Sequence, residues 1–207
     1  CTGTVIWSNG TSGSNINVSS TGTYGAICEL NGCRSESSLP VNIVVNELPA
    51  TPLISSNDAD NTVCSGTSVE LSVSNCTGTV IWTNGTSGSS INVSSTGTYG
   101  AICELNGCRS ESSLPASIVV NSLPATPIIS SNDADNTVCS GTSIELSVSN
   151  CTGTGTVIWT NGTSGSSINV SSTGTYGAVC ELNGCRSESS LPANIVVHAL
   201  PTTPIIS

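Results

Sequence analysis

The chain has 207 residues, with 11 Cys, 21 Gly, one His, three basic residues that are all Arg, and no Phe or Met. A formal charge of −10 on so few basic groups offers no footprint for a nucleic-acid backbone or an anionic membrane. The absence of Lys removes Schiff-base and P-loop chemistry, one His is too few for a multi-His metal site, and no apolar run approaches the ~18–20 residues of a spanning helix. Eleven cysteines suit disulfides in a secreted chain better than thiols in a reducing cytosol. Ser, Thr, Val, Ile, Asn and Gly dominate, a composition of strands and tight turns.

Self-comparison organises the chain. Cys1-Thr2-Gly3-Thr4-Val5-Ile6-Trp7 recurs as Cys76-Thr77-Gly78-Thr79-Val80-Ile81-Trp82, and again from Cys151 to Trp159 with an extra Gly-Thr inside it. Residues 1–75 and 76–150 differ at seven positions: Ser8/Thr83, Asn15/Ser90, Val41/Ala116, Asn42/Ser117, Glu47/Ser122, Leu53/Ile128 and Val69/Ile144. The paired prolines of Leu48-Pro49-Ala50-Thr51-Pro52, Leu123-Pro124-Ala125-Thr126-Pro127 and Leu200-Pro201-Thr202-Thr203-Pro204 form stiff connectors that cannot join a sheet interior. Boundaries placed there give residues 1–49 as the C-terminal part of one repeat, 50–124 and 125–201 as complete repeats, and 202–207 as the first strand of the next. The chain therefore reads as a window on a longer array, in which no signal peptide is expected.

Within one period the elements follow from alternation and turn residues. Pro52–Ser55 is a short first strand. Val69, Leu71 and Val73 alternate with Glu70, Ser72 and Ser74, so the second strand buries one face. Val80 and Trp82 alternate with Ile81 and Thr83 before Asn84-Gly85, and Ile91 and Val93 alternate with Asn92 and Ser94. Tyr99, Ala101, Cys103 and Leu105 share a face of the next strand, Asn106-Gly107 makes a two-residue hairpin, and the returning strand runs from Cys108 to Val120. About seven short strands with turns every 8–12 residues predict an all-β fold of small immunoglobulin-like β-sandwiches in tandem. Trp7, Trp82 and Trp159 would form the core together with Tyr24, Tyr99 and Tyr176, each Tyr standing where a tyrosine corner would hydrogen-bond back to the chain. Each Tyr precedes its Cys by four residues rather than the two of antibody domains, so the expectation concerns architecture and not that family.

A unit this small buries a thin core, and disulfides are the expected supplement. Cys76–Cys103 would join strands facing each other across the sandwich, as would Cys1–Cys28 and Cys151–Cys180. By elimination Cys64 pairs with Cys108 and Cys139 with Cys185, leaving Cys33 without a partner. A bridge between neighbouring domains is the alternative for this second set.

Trp82-Thr83-Asn84-Gly85, Ser90-Ile91-Asn92-Val93, Gly97-Thr98-Tyr99 and Asn106-Gly107-Cys108, in this order, resemble the Ig-like repeats of large secreted surface proteins of Bacteroidota. Cys64-Ser65-Gly66 ahead of a Val-x-Leu strand fits the same pattern, and the resemblance covers every period. It implies export by the type IX route and display as an adhesin, stalk or filament, a family that includes gliding-motility adhesins and spacers attached to enzymes.

Few residues suggest chemistry. Asp58 and Asp60, with Asp133 and Asp135, alternate carboxylates near a domain junction, and Ca²⁺ is the one cofactor they bring to mind. The competing reading is a polar turn in which Asp and Asn cap their own backbone. His198 stands where other copies have Asn46 and Asn121, which reads as surface drift. Glu104 and Arg109 would pair across the hairpin. Asn84-Gly85-Thr86, Asn92-Val93-Ser94 and Asn75-Cys76-Thr77 match the glycosylation sequon, as a Ser/Thr/Asn-rich chain does by chance. No repeat carries a nucleophile–base pair, a metal-ligand cluster or a phosphate loop, so no enzyme is expected. The expected role is a segment of a long extracellular fibre or adhesin stalk. Its partners would be neighbouring repeats and, in filaments, further copies of itself, with neither nucleic acid nor membrane insertion. The alternative is a multivalent array whose loops bind a glycan or surface.

Overall fold

A computed structural model describes residues 1–206. Among them the secondary structure is entirely strand and turn. The first copy supplies β1 (Thr4–Trp7), β2 (Gly22–Tyr24), β3 (Ala26–Leu30), β4 (Cys33–Arg34) and β5 (Val41–Ile43). The second supplies β6 (Leu53–Ser56), β7 (Thr62–Cys64), β8 (Val69–Ser74), β9 (Thr79–Trp82), β10 (Ser90–Val93), β11 (Gly97–Tyr99), β12 (Ala101–Leu105), β13 (Cys108–Arg109) and β14 (Ala116–Asn121). The third repeats that series as β15 (Ile128–Ser131), β16 (Thr137–Cys139), β17 (Ile144–Ser149), β18 (Thr156–Trp159), β19 (Ser167–Val170), β20 (Gly174–Tyr176), β21 (Ala178–Leu182), β22 (Cys185–Arg186) and β23 (Ala193–His198).

The chain divides into two compact units, one of Cys1–Ile54, Val73–Ser89 and Gly100–Pro115, the other of Ser55–Ser72, Ser90–Tyr99 and everything described from Ala116 on. In the first unit β1-β3-β4 and β9-β12-β13 are antiparallel sheets of identical register, Thr4 opposite Glu29 and Thr79 opposite Glu104, and β2 pairs with β5. The middle copy also forms the sheets β6-β8-β10 and β7-β14-β11.

The third copy lies wholly in the second unit and shows the architecture. One layer is β15-β17-β19. The other is β18-β21-β22 continued by β20-β23-β16, since β20 and β21 are one strand interrupted at Gly177, and β22 and β23 one strand interrupted at 187–192. Ile144 and Leu146 of β17 and Val170 of β19 meet Val157 and Trp159 of β18, Ala178 of β21 and Ile195 of β23 in one core. This is a disulfide-stabilised immunoglobulin-like sandwich. Alternation explains it: Ile144 and Leu146 are fully buried while Glu145 between them faces solvent. Trp82 and Trp159 are each 2 % exposed, and the buried indole N–H of Trp159 donates to the Gly165 carbonyl at 2.9 Å.

Three features depart from the sequence reading. A strand not anticipated, β7 or β16, pairs in parallel with β14 or β23, so the chain leaves one layer after β6 or β15 and joins the other. The tyrosines are half-buried rather than core, although their hydroxyls donate to carbonyls four residues back, Tyr99 to Ser95 at 2.9 Å and Tyr176 to Ser172 at 3.0 Å. Trp7 and Tyr24 are half-buried as well. Finally, the returning strand is not continuous. Over residues 110–113 and 187–190 serine hydroxyls stand in for its carbonyls: Ser110 and Ser113 Oγ accept the Cys103 and Ala101 N–H at 2.9 and 3.0 Å.

Candidate functional site

The carboxylates of the Asp loops serve the strand switch. Asp58 Oδ1 and Asp60 Oδ1 both accept the Thr62 N–H, at 3.2 and 3.0 Å, at the first residue of β7. Asp133 and Asp135 do the same for Thr137 at 3.2 and 3.0 Å. Asn61 and Asn136 take the left-handed conformation, φ 57° each, and their carbonyls accept the Val119 and Val196 N–H at 2.9 and 3.0 Å to open the parallel ladder. The Asp58 carboxyl is held below its ordinary 3.8, chiefly by its side-chain hydrogen bond with Asp60, against desolvation and with help from the Thr62 N–H. Asp133 is lowered likewise, by Asp135 first and then the Thr137 N–H. No three metal-ligating side chains converge here or elsewhere among the described residues.

The Asn-Gly turns behave as their residue types require. Asn106 and Gly107 have φ 51° and 77°, both positive, which closes a two-residue hairpin between Leu105 and Cys108. Arg109 Nε donates to Glu104 Oε2 at 2.7 Å across it, with both side chains solvent-accessible, an arrangement worth a few tenths of a kcal/mol. Asn84 of the sequon Asn84-Gly85-Thr86 turns its Oδ1 inward to the Thr86 N–H and hydroxyl, at 3.1 and 2.7 Å, and so caps its own turn.

The cysteines carry the arrangement that matters most. Cys1–Cys28, Cys76–Cys103 and Cys151–Cys180 are bonded within their copies, with Cα atoms 5.7, 5.6 and 5.6 Å apart. Cys76 and Cys151 lie just beyond β8 and β17, so these bridges pin the following loop to the core-facing Cys103 and Cys180. That loop runs so close to its neighbour that a Cβ on Gly78 would collide with the Glu104 carbonyl. The second set of expected pairs is corrected. Cys64 is bonded not to Cys108 but to Cys185 of the following copy, Cα atoms 5.6 Å apart across 121 residues of sequence. Cys139 is therefore not paired with Cys185, and Cys33, Cys108 and Cys139 are free among the described residues.

The reason is position. Cys64 ends β7 opposite Asn121 in the parallel register, and Cys185 follows the Asn183-Gly184 turn. Asn121 Nδ2 donates to the Asn183 carbonyl at 3.5 Å, so the strand ends of one copy meet the hairpin turn of the next. The same contact recurs one copy earlier, Asn46 Nδ2 to the Asn106 carbonyl at 3.3 Å. His198 occupies the corresponding place opposite Cys139 and is exposed. Four disulfides place the folded chain in an oxidising environment.

No family model matches the chain, and no curated protein does. Several solved structures are similar to it. A mouse coronavirus receptor-binding domain complexed with its murine receptor overlaps at 12 % identity and TM-score 0.45, covering 70 % of this chain and 100 % of that one. Murine CEACAM1b overlaps at 13 % and 0.42, covering 71 % and 100 %. The N-terminal eight Ig domains of the Down Syndrome Cell Adhesion Molecule overlap at 15 % and 0.44 over 95 % of this chain, which spans 30 % of that one. At these identities and scores the fold stands on the strand pairing and core described above.

Proposed function

We propose that the chain is a structural, non-enzymatic segment of an extracellular fibre or adhesin stalk, in which immunoglobulin-like repeats are joined in series. The observation that carries this reading is the Cys64–Cys185 bridge between consecutive copies. A freely jointed array of binding modules needs no covalent tie from one module to the next, whereas a spacer under tension gains from one. In the chain-entropy model, closing 121 residues of sequence is worth about 5 kcal/mol, more than the roughly 3–4 kcal/mol of the loops closed inside each copy. The near-identity of the first two periods supports the same reading, because a spacer uses one part repeatedly. The net charge of −10 favours solubility of a repetitive surface. Surface display by type IX export is the form of this proposal that the motif resemblance suggests.

Negative-stain electron microscopy of the purified chain tests it. Elongated particles that lengthen by about 35–40 Å for each added repeat are expected, whereas compact particles would contradict it. The competing reading, a multivalent glycan-binding array, predicts clear binding by a single repeat on a glycan array, and the stalk reading predicts none.

A further inference from the structure

The Cys64–Cys185 bridge encloses two smaller ones. Cys76–Cys103 and Cys151–Cys180 both lie inside its 121-residue span, as do all strands from β8 to β21. The span therefore holds the buried side chains Leu71, Trp82, Leu146 and Trp159 of the two complete copies. Two covalent routes lead from the end of β7 to the start of β22. One follows the backbone through 65–184, across the Pro124 and Pro127 connector. The other is the disulfide itself, with Cα atoms 5.6 Å apart. When the two cysteines are pulled apart, the short route is taut before the long one can extend. Sheet hydrogen bonds give way under load before a covalent bond does, so the long route stays closed for as long as the disulfide lasts.

We infer that the Cys64–Cys185 bridge is an extension lock: tension entering before Cys64 and leaving after Cys185 passes through the disulfide, and residues 65–184 are not drawn out. The inference rests on the serial reading above. Of the 121 residue steps between the two cysteines, the inner bridges hold 27 and 29 closed, which leaves 65 that the lock alone restrains. Extended, those steps would add roughly 220 Å, about the length of six folded repeats. Small thiols open the lock. A small thiolate attacks the sulfur of Cys64, the more exposed partner, since Cys185 is 1 % exposed. That attack forms a mixed disulfide and expels the Cys185 thiolate. A second small thiolate attacks the outer sulfur of the mixed disulfide and expels the Cys64 thiolate. One protein S–S bond is lost and one small S–S bond forms, and the two protein thiols take their two protons and two electrons from two small thiols.

The test pulls single molecules of the purified chain between terminal handles, oxidised wild type against C64S/C185S. In the wild type only residues 28–64 and 185–207 lie outside closed bridges, so extension should stop after a release of about 200 Å. The variant should release roughly 220 Å more, a twofold greater total. Wild type pulled in reduced glutathione supplies a second reading that needs no variant to fold. A single step of roughly 220 Å is expected, and the inner bridges, shielded until then, should give their steps of about 90–105 Å only after it. One early step of that smaller size belongs to Cys1–Cys28, which lies outside the span. Oxidised wild type extending past its limit, a variant with the wild-type limit, or two small steps ahead of the large one would each overturn the lock. The serial reading is decided separately. The chain has only three tryptic sites, after Arg34, Arg109 and Arg186, so Cys64 lies in peptide 35–109 and Cys185 in peptide 110–186. Mapping of the unreduced chain shows whether the tie is present, whatever the pulling result.

Discussion

At the scale of single residues, the core depends on one large side chain per copy. Trp159 is 2 % exposed and touches both layers of its sandwich, and with no Phe or Met in the chain nothing of similar volume can refill its place. Trp159→Ala should cost about 3–5 kcal/mol in urea unfolding, and a loss below about 1 kcal/mol would mean the core is not built around it. The Asp pairs give a pH signature. The Asp58 carboxyl is depressed from its ordinary 3.8 in the folded chain. Its contribution is therefore complete above the unfolded value and is lost as pH falls through the lower folded one. NMR titration should place the Asp58 carboxyl midpoint below 3.8, with the Thr62 amide moving in step. A midpoint at or above that value would remove the Asp loop from the strand switch. These roles were partly legible. The Trp and the Asn-Gly turns announce themselves by residue type, and the Asp run was readable as a backbone-capping turn. That the tyrosines sit half-exposed was not readable, because a corner tyrosine and a core tyrosine share the same Gly-Thr-Tyr context.

At the scale of elements, alternation located the strands with two buried neighbours and missed those without. Val69 and Leu71 are fully buried and mark β8 plainly, whereas Thr62–Cys64 has three half-buried residues and no alternation to detect. Its parallel pairing with β14 is a tertiary fact, stabilised by capping at Asn61 and by a partner 57 residues away, Val119 opposite Thr62. The interrupted returning strand was equally hidden, since Ser-Glu-Ser-Ser reads as a polar stretch. Its serines are structural: Ser187 and Ser190 are 8 % and 7 % exposed and accept the Cys180 and Ala178 N–H. Ser190→Ala leaves the Ala178 N–H unsatisfied in the core and should destabilise the chain by about 1–3 kcal/mol. Ser189→Ala, one position away and exposed, should change stability by less than about 0.5 kcal/mol. Equal effects in thermal unfolding would show that the hydroxyl does not replace the strand bond.

At the scale of the whole molecule, the internal bridges were accessible from spacing because both cysteines belong to one period. The second set was not, because a periodic sequence cannot say whether a cysteine pairs within its own period or with the next. Cys64 sees Cys108 and Cys185 as the same residue in the same motif, and only the meeting of the β7 end with the following turn distinguishes them. Under the same offset Cys139 corresponds to Cys64, and Cys33 and Cys108 correspond to Cys185. The central claim, that successive copies are covalently tied into a series, is tested most directly by tryptic mapping of the alkylated, unreduced C108S chain, in which Cys64 is the one cysteine of peptide 35–109 outside the Cys76–Cys103 bridge. The account predicts that peptide 35–109 is recovered disulfide-linked to peptide 110–186 through Cys64 and Cys185. Recovery of peptide 35–109 free of any partner, with Cys64 alkylated, would contradict it.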